Sequence, residues 1–249
     1  MKASAETSSL AAEAYGVVRR RIVRGRVGLG QVISRRKIAA ELGMSFLPVS
    51  MALLRLEFEG LLESRPRAGT RVRIPSPDDV RGHYVVREVL EVQAAKLFAE
   101  VALPRERVEL KQLAARVDAL AQIPGDRAAF VLSHQKLHRR IAECTRCRAL
   151  SATIEQTNVL ASMWFCVARQ PSSKDPQRRH QDLMEVLSHG TVEEAADAMR
   201  SHIAHGLKHT LEVLAPYFRL RKASGKTFSR TRSEPLRELH DFKIAGEVE

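Results

Sequence analysis

The feature that most constrains the fold is a pair of short helical patterns joined by a glycine-containing turn. The first pattern covers about 34–42, with Ser34 as its N-cap, and the second covers about 45–60, with Ser45 as its N-cap. Gly43 lies in the turn, where a left-handed backbone conformation suits glycine. This arrangement predicts a helix-turn-helix, in which the second helix crosses the first at a fixed angle.

The segments on either side of this motif complete a small domain. A helical pattern covers 9–25 before it. After it, 61–64 and 70–74 have β character and are separated by a basic turn, which predicts a hairpin, the wing. Pro75-Ser76-Pro77 interrupts regular structure and marks a boundary. We therefore predict a winged helix-turn-helix domain over residues 1–76.

The rest of the chain is predicted to be a helical bundle. Six helical patterns are separated by proline and glycine, at about 78–101, 104–121, 126–144, 147–169, 176–189 and 192–215. Long amphipathic helices with short connections favour an antiparallel bundle, here over 77–220. Beyond Pro216 the chain becomes polar, so 221–249 is predicted to be a basic flexible tail. The predicted fold is mainly α, a winged helix-turn-helix followed by an all-helical bundle.

Positive charge is concentrated in the first domain. Residues 1–76 contain 14 Lys and Arg against 6 Asp and Glu, whereas 77–218 contain 19 against 18. A basic domain next to a near-neutral one indicates that only the first faces a polyanion such as DNA. A solvated basic surface would explain the charge alone equally well. A winged helix used only for protein contacts would not need a basic wing.

The chain contains no run of 18 apolar residues and no secretion signal, so we expect a cytoplasmic protein with no membrane partner. Its three cysteines are Cys144, Cys147 and Cys166. They are too few for a disulfide framework, and the first two lack a second pair that would complete a zinc site. We interpret them as helix-packing residues, with redox or metal chemistry as the alternative.

Residues 14–73 resemble the GntR-type winged helix, through IAAELGMSFLPVSMALLRLEFEGL and the wing RAGTRV. The resemblance implies a transcription regulator that binds double-stranded operator DNA, and we expect a homodimer. The implied DNA-contacting residues are Arg35, Arg36, Lys37, Ser45, Phe46, Ser50, Arg67 and Gly69. Phe46 and Ser50 stand where the family usually carries arginines, so we expect an unusual operator, with Phe46 on a thymine methyl group.

Four histidines are candidate metal ligands. His134 and His138 are four residues apart and share one helix face, and His180 and His202 lie on two later helices. Imidazole is a ligand for zinc, nickel, copper and iron. The residues alone leave open that these are surface or interhelical histidines.

Residues 78–215 resemble the FCD domain, the effector domain of FadR-type GntR regulators. The resemblance lies in YVVREVLEVQAAKLFAE, SHQKLHRRIAECTRCRAL and RRHQDLMEVLSHGTVEEAADAMRSHI. It implies that the four histidines bind a divalent metal, zinc first with nickel or another as alternatives. His134 stands where the family usually has Asp, which makes the site more positive. Arg87 matches an arginine near the effector, which implies a carboxylate ligand, although Arg87 and Glu91 could simply form a surface pair.

We therefore expect a ligand-responsive regulator of repressor type rather than an enzyme. The alternative is a metal-dependent hydrolase that uses the four histidines. However, the residues between His134 and His138 include Gln135 and Lys136, where a metalloprotease helix has its glutamate base. We expect effector binding to reorient two winged domains, with Pro75-Ser76-Pro77 as the hinge.

Overall fold

The computed structural model describes residues 2–66, 68–123, 127–167 and 178–224. The N-terminal elements are α1 (Lys2–Val23), β1 (Val32–Ile33), α2 (Arg35–Leu42), α3 (Phe46–Phe58), β2 (Leu62–Arg65) and β3 (Gly69–Val72). The remaining elements are α4 (Pro77–Val101), α5 (Pro104–Ala121), α6 (Arg127–Cys144), α7 (Arg148–Val167), α8 (Arg179–His189) and α9 (Val192–Ser224). The predicted fold class, a winged helix-turn-helix followed by a helical bundle, is confirmed.

The helix-turn-helix forms where the sequence predicts it. The Ser34 hydroxyl accepts a hydrogen bond from the backbone N–H of Lys37 and caps α2. Gly43 ends α2 with a φ of +63°, in the left-handed region that glycine adopts without strain. Ser45 is the N-cap residue of α3, as predicted, although its side chain makes no capping hydrogen bond.

The helix α3 is held by one face. Its buried residues are Val49, Ala52, Leu53 and Leu56, together with Pro48 in its first turn. This face packs against α1, whose residues Ala14, Val18 and Ile22 are fully or almost fully buried in the same core. Because the contact is apolar and well packed, it fixes the orientation of the second helix of the motif relative to the rest of the domain.

A three-stranded antiparallel sheet forms the wing, in the order β1-β3-β2. In the hairpin Leu62 pairs with Val72 and Arg65 with Gly69, as expected for a tight connection. The sequence analysis missed β1, which pairs Val32 with Arg71, because two residues are too few to form a recognisable pattern. The predicted DNA contact Arg67 lies outside the described residues.

The bundle is built around α4, which packs along α9, while α5 contacts both α6 and α8. A hydrogen bond of 2.7 Å between the hydroxyls of Tyr84 and Thr210 joins α4 to α9 within the core. Phe98 of α4 is completely buried. Within the described residues, no helix combines the length and the apolar character needed to cross a bilayer.

The last helix is longer than the sequence predicts. We placed its end at 215 and the domain boundary at 220, whereas α9 continues to Ser224. Pro216 lies inside it at an exposed position, where water can satisfy the carbonyl that proline leaves unpaired. Tyr217 and Phe218 pack against the core and hold the following turn in place. The rest of the predicted tail, 225–249, lies outside the described residues.

The cysteines differ in their surroundings. Cys144 is completely buried in the bundle core, and this burial raises the pKa of its thiol to about 11. The prediction that it is a packing residue is therefore confirmed. Cys147 is exposed, so the same prediction is wrong for it. The side chain of Cys166 is outside the described part of the chain.

Asp79 ties the two domains together at the predicted hinge. Its carboxylate accepts from the backbone N–H of Ser76, while the Ser76 hydroxyl accepts from the N–H of Asp79, which forms a capping box at the start of α4. The same carboxylate is 2.9 Å from Nη2 of Arg73 and 3.3 Å from Nη1 of Arg221. Arg221 also donates to the carbonyl of Ile74 at 2.8 Å.

Replacing Asp79 with Ala is expected to lower the free energy of unfolding by about 1–2 kcal/mol, because it removes a helix cap and two charged partners. Asp78→Ala is the matched control, since the Asp78 side chain is exposed and its ion pair is with Arg81, three residues away on the same helix. It should cost less than about 0.5 kcal/mol. Urea denaturation measures both values, and equal losses would contradict the assigned role of Asp79.

Candidate metal and DNA-binding sites

Three of the predicted histidines meet in the interior of the bundle. Nε2 of His138 is 3.2 Å from Nε2 of His134 and 3.3 Å from Nε2 of His202. The candidate ligand atoms of these three residues all lie within 4.8 Å of one another. His138 and His202 are buried and His134 is half-buried. The alternative that these are surface histidines is therefore wrong.

His180 lies beside this group. Its ring centroid is 5.0 Å from that of His134 and 5.1 Å from that of His202. Its Nδ1 is 2.6 Å from Oδ1 of Asp118, whereas its Nε2 is buried and has no hydrogen-bond partner among the described residues. The structure thus brings three of the four predicted ligands together, and the ring of His180 packs beside them.

Two buried carboxylates fix the chemical form of two of these rings. Asp118 contacts Nδ1 of His180, and Glu91 contacts Nδ1 of His138. An Nδ1–H that donates to a carboxylate leaves the Nε2 lone pair free, which is the form in which imidazole binds a metal. The sequence analysis did not identify either carboxylate as part of the site.

The electrostatics favour the neutral form of His134, His180 and His202. Burial, together with nearby positive groups, lowers the pKa values of His134 and His202 well below the usual range. Burial also lowers the pKa of His180, although Asp118 opposes the shift. Neutral imidazoles whose nitrogens converge in the protein interior are what a divalent metal requires, so the residues of this site fit a bound metal.

Arg87 is part of the same buried network. Its Nε donates to Oε1 of Glu91 at 2.8 Å, and both side chains are almost fully buried. The Arg87–Glu91 pair that the sequence suggested therefore exists, but the surface position expected for it is wrong. Burial opposes ionisation of Glu91, but Arg87 and His138 outweigh this effect and lower the pKa of Glu91 to about 2. Arg87, Glu91 and His138 form a chain that ends at the histidine cluster.

The predicted DNA contacts lie on the surface of the winged domain. Arg35, Arg36 and Lys37 are exposed on the first turn of α2. Nη2 of Arg35 donates to the Thr70 hydroxyl at 3.2 Å, which joins this turn to the hairpin. The other predicted contacts with described positions are Ser45 and Phe46, which are exposed, Ser50, which is partly exposed, and Gly69, which is exposed with a φ of +76°.

The sequence analysis missed a second apolar face on α3. Besides Phe46, the residues Leu47, Met51, Leu54 and Phe58 are exposed, from 46% for Met51 to 94% for Phe58. A helical projection of 46–58 would have found them, because apolar residues there occupy both sides of the helix. An exposed stripe of this kind marks an interaction surface.

Comparison with known families agrees with this architecture. The model for bacterial regulatory proteins of the gntR family matches residues 10–72, and the model for the FCD domain matches residues 83–205. The chain belongs to the GntR family and carries an FCD domain. The two matches cover the winged helix and the bundle that contains the histidine cluster. GntR regulators with an FCD domain bind operator DNA and small-molecule effectors.

Individual relatives are regulators as well. A protein named "Probable D-xylose utilization operon transcriptional repressor" from Paenarthrobacter nicotinovorans is 29% identical over 195 residues, which cover 76% of this chain and 83% of the relative. The HTH-type transcriptional regulator YdhC of Bacillus subtilis is 24% identical over 204 residues, 80% of this chain and 90% of the relative. This GntR protein is therefore a transcriptional regulator, and the alternative of a hydrolase is wrong.

Solved structures share the fold. A protein of Rhodococcus sp. RHA1 described as a GntR transcriptional regulator has a TM-score of 0.71 at 20% identity, covering 82% of this chain and 98% of that one. McbR/YncC of E. coli has a TM-score of 0.65 at 20% identity, covering 84% and 98%. At this level of identity the likeness concerns the fold alone.

His83 makes stability depend on pH. Its ring packs edge-on against Trp164, with centroids 5.0 Å apart, and burial together with the charge of Arg87 lowers its pKa to about 4. Between pH 6.5 and 4 the unfolded chain binds a proton at this residue that the folded chain does not. The resulting stability is fully present above pH 6.5 and decreases as the pH falls towards 4.

We expect His83→Leu to remove about 2–3 kcal/mol of this pH-dependent change. Urea denaturation of the wild type and the variant, with EDTA present, measures it at pH 7 and pH 4.5. The other buried histidines are common to both proteins, so the difference between the two pH profiles belongs to His83. Parallel profiles would contradict the assignment.

Proposed function

We propose that the chain is a ligand-responsive transcriptional repressor. In this proposal residues 1–76 bind operator DNA, and residues 77–220 bind a divalent metal and a small carboxylate effector. The observation that carries it is the meeting of His134, His138 and His202 in the bundle, with carboxylates behind the neighbouring rings. Repression, rather than activation, is supported by the name of the Paenarthrobacter relative, a probable transcriptional repressor.

Four imidazoles would hold the metal. His134, His138 and His202 offer Nε2 atoms that already converge, and His180 offers a buried Nε2 without a partner. Zinc is the first candidate because it takes four nitrogen ligands in tetrahedral geometry, and nickel is also suited to imidazole. When bound, the ion supplies a positive charge that attracts an anionic ligand.

Arg87 is the proposed effector contact. Arginine has five N–H donors, and its hydrogen bond to Glu91 uses one of them. A guanidinium can grip a carboxylate through two parallel hydrogen bonds. Arg179 also lies at this site, where its Nη2 donates to the carbonyl of His202 at 2.8 Å. A bound dication together with Arg87 and Arg179 outweighs the charges of Glu91 and Asp118, so the site favours an anion.

The winged domain would bind DNA through its exposed cations and the N-terminal part of α3. Arg35, Arg36 and Lys37 can neutralise phosphates, while Ser45, Phe46 and Ser50 lie at the start of the helix that enters the major groove in this class of motif. Gly69 and Arg67 complete the proposed set of DNA-contacting residues. A homodimer would place two such helices on a palindromic operator.

Signal transmission would follow α9. This helix carries His202 at the proposed metal site and Arg221 at the junction with the winged domain. Arg221 binds Asp79 and the carbonyl of Ile74, on either side of the proposed hinge at Pro75-Ser76-Pro77. A coupling of about 1–3 kcal/mol between the two sites would change operator affinity about 5- to 150-fold.

Asp118→Asn tests the metal site. We expect it to lower the affinity for zinc about 10- to 100-fold, because the variant no longer fixes the His180 ring with a full negative charge. Competition with a chromophoric chelator measures the affinity. Asp182→Asn is the control, since Asp182 lies on α8, the helix that carries His180, but is exposed and pairs with Arg178. Equal zinc affinity for the wild type and both variants would show that Asp118 does not contribute to metal binding.

His180→Ala tests the link between the two domains. The variant should bind the operator with wild-type affinity but lose its response to a carboxylate selected by thermal-shift screening. Gel shifts with and without that carboxylate measure both quantities. An effector response equal to that of the wild type would contradict the proposal.

Arg36→Ala tests the DNA surface. It should weaken binding to every duplex by a similar factor and reduce the slope of log K against log[salt] by about 1, since one phosphate contact is lost. Arg105→Ala is the matched control, because it removes the same charge from an exposed position on α5 of the bundle. Binding that is unaffected by 0.5 M salt would contradict the assignment of this domain to DNA.

A further inference from the structure

The exposed apolar face of α3 identifies how the operator would be read. Leu47, Met51, Leu54 and Phe58 follow one another at intervals of four, three and four residues. This spacing places them on one side of the helix, opposite the buried face that begins at Val49. Single exposed apolar residues are common on proteins, whereas a stripe over three helical turns needs a partner.

The surroundings of the stripe favour a polyanionic partner. Arg35, Arg36 and Lys37 are exposed on the adjacent helix α2. The carboxylates of this domain are balanced by cations, as Glu41 pairs with Arg21 and Lys37, Glu59 with Arg55, and Glu63 with Arg65 and Arg71. Arg35 and Arg36 form no ion pair among the described residues, so this surface keeps an excess of positive charge. A duplex, which presents phosphates on both sides of its groove, complements that charge.

The chemistry of the stripe restricts what it can recognise within the groove. Leu47, Met51 and Phe46 carry no group that can hydrogen-bond to a base edge. Among the groups that base pairs present in the major groove, the C5-methyl of thymine is the apolar one. Packing an apolar side chain against the polar edge of a G·C pair would instead leave donors and acceptors without partners, which is costly.

We infer that α3 reads its operator chiefly through the methyl groups of thymine, contacted by Phe46, Leu47 and Met51. The inference rests on the proposed DNA-binding function and deepens it. The cations of α2 supply affinity that does not depend on sequence, and the methyl contacts supply the preference for one site. The half-sites are therefore rich in A·T pairs at the positions that face the first two turns of α3.

Deoxyuridine provides the test, because it differs from thymidine only by the missing methyl group. An operator is first selected from random duplexes with the full-length protein, and each thymine is then replaced by uracil. We expect affinity to fall about fourfold for each contacted methyl group, while binding to unrelated duplexes stays unchanged. Replacing guanines with 7-deazaguanine, which lacks the N7 acceptor, should leave affinity unchanged.

Two variants locate the contact on the protein. Leu47→Asn with Met51→Gln should lower the affinity for the thymine operator and abolish the difference between thymine and uracil. Phe58→Ser is the matched control, since Phe58 belongs to the same stripe but lies in the last turn of α3, whereas base contacts come from the N-terminal residues of a recognition helix. It should retain the full thymine preference.

The outcomes separate this inference from the proposed function. A selected operator that binds in a salt-sensitive manner but tolerates uracil throughout overturns the methyl readout and leaves the repressor proposal standing. Absence of any salt-sensitive binding to duplex DNA overturns both. Light scattering shows whether the wild type forms an oligomer that the double variant does not form. If it does, and the variant keeps the thymine preference, the stripe is covered by a second copy of the chain and the inference is wrong.

Discussion

The contact between Glu91 and His138 is the interaction on which the interior of the bundle depends. A charged pair such as Arg87 and Glu91 is costly to bury unless every remaining hydrogen-bonding group finds a partner. Nδ1 of the His138 ring contacts the Glu91 carboxylate, and Nε2 of the same ring faces His134 and His202. The same contact therefore offsets the burial of charge and orients the central ring of the cluster.

Much of this architecture could be predicted from the sequence because its signals are local. Gly43 ends α2 in a left-handed conformation, Ser34 caps that helix, α5 begins at Pro104, and Gly190 follows the end of α8. Helical spacing put His134 and His138 on one face. His180 and His202 were candidates as histidines on two later helices, and the resemblance to the FCD domain favoured one site for all four.

The features that were missed depend on contacts between residues far apart in the chain. Asp118 and His180 are separated by 62 residues, so no local pattern announces their hydrogen bond. The Arg87–Glu91 pair had the spacing of a surface pair, and only the packing of α4 against its neighbours shows that it is buried. The end of α9 was misplaced because Pro216 is usually a breaker, whereas the buried contacts of Tyr217 and Phe218 carry the helix past it.

Because α9 is long, a small tilt of the helix at the histidine cluster produces a larger displacement at its other end. His202 and Arg221 are 19 residues apart in one helix, which corresponds to roughly 28 Å at about 1.5 Å per residue. If the segment rotates as a stiff lever about His202, a tilt of about 2° moves Arg221 by about 1 Å, using the same rise per residue. A displacement of that size is enough to separate a guanidinium from a carboxylate at hydrogen-bonding distance, and so to release the joint between the two domains.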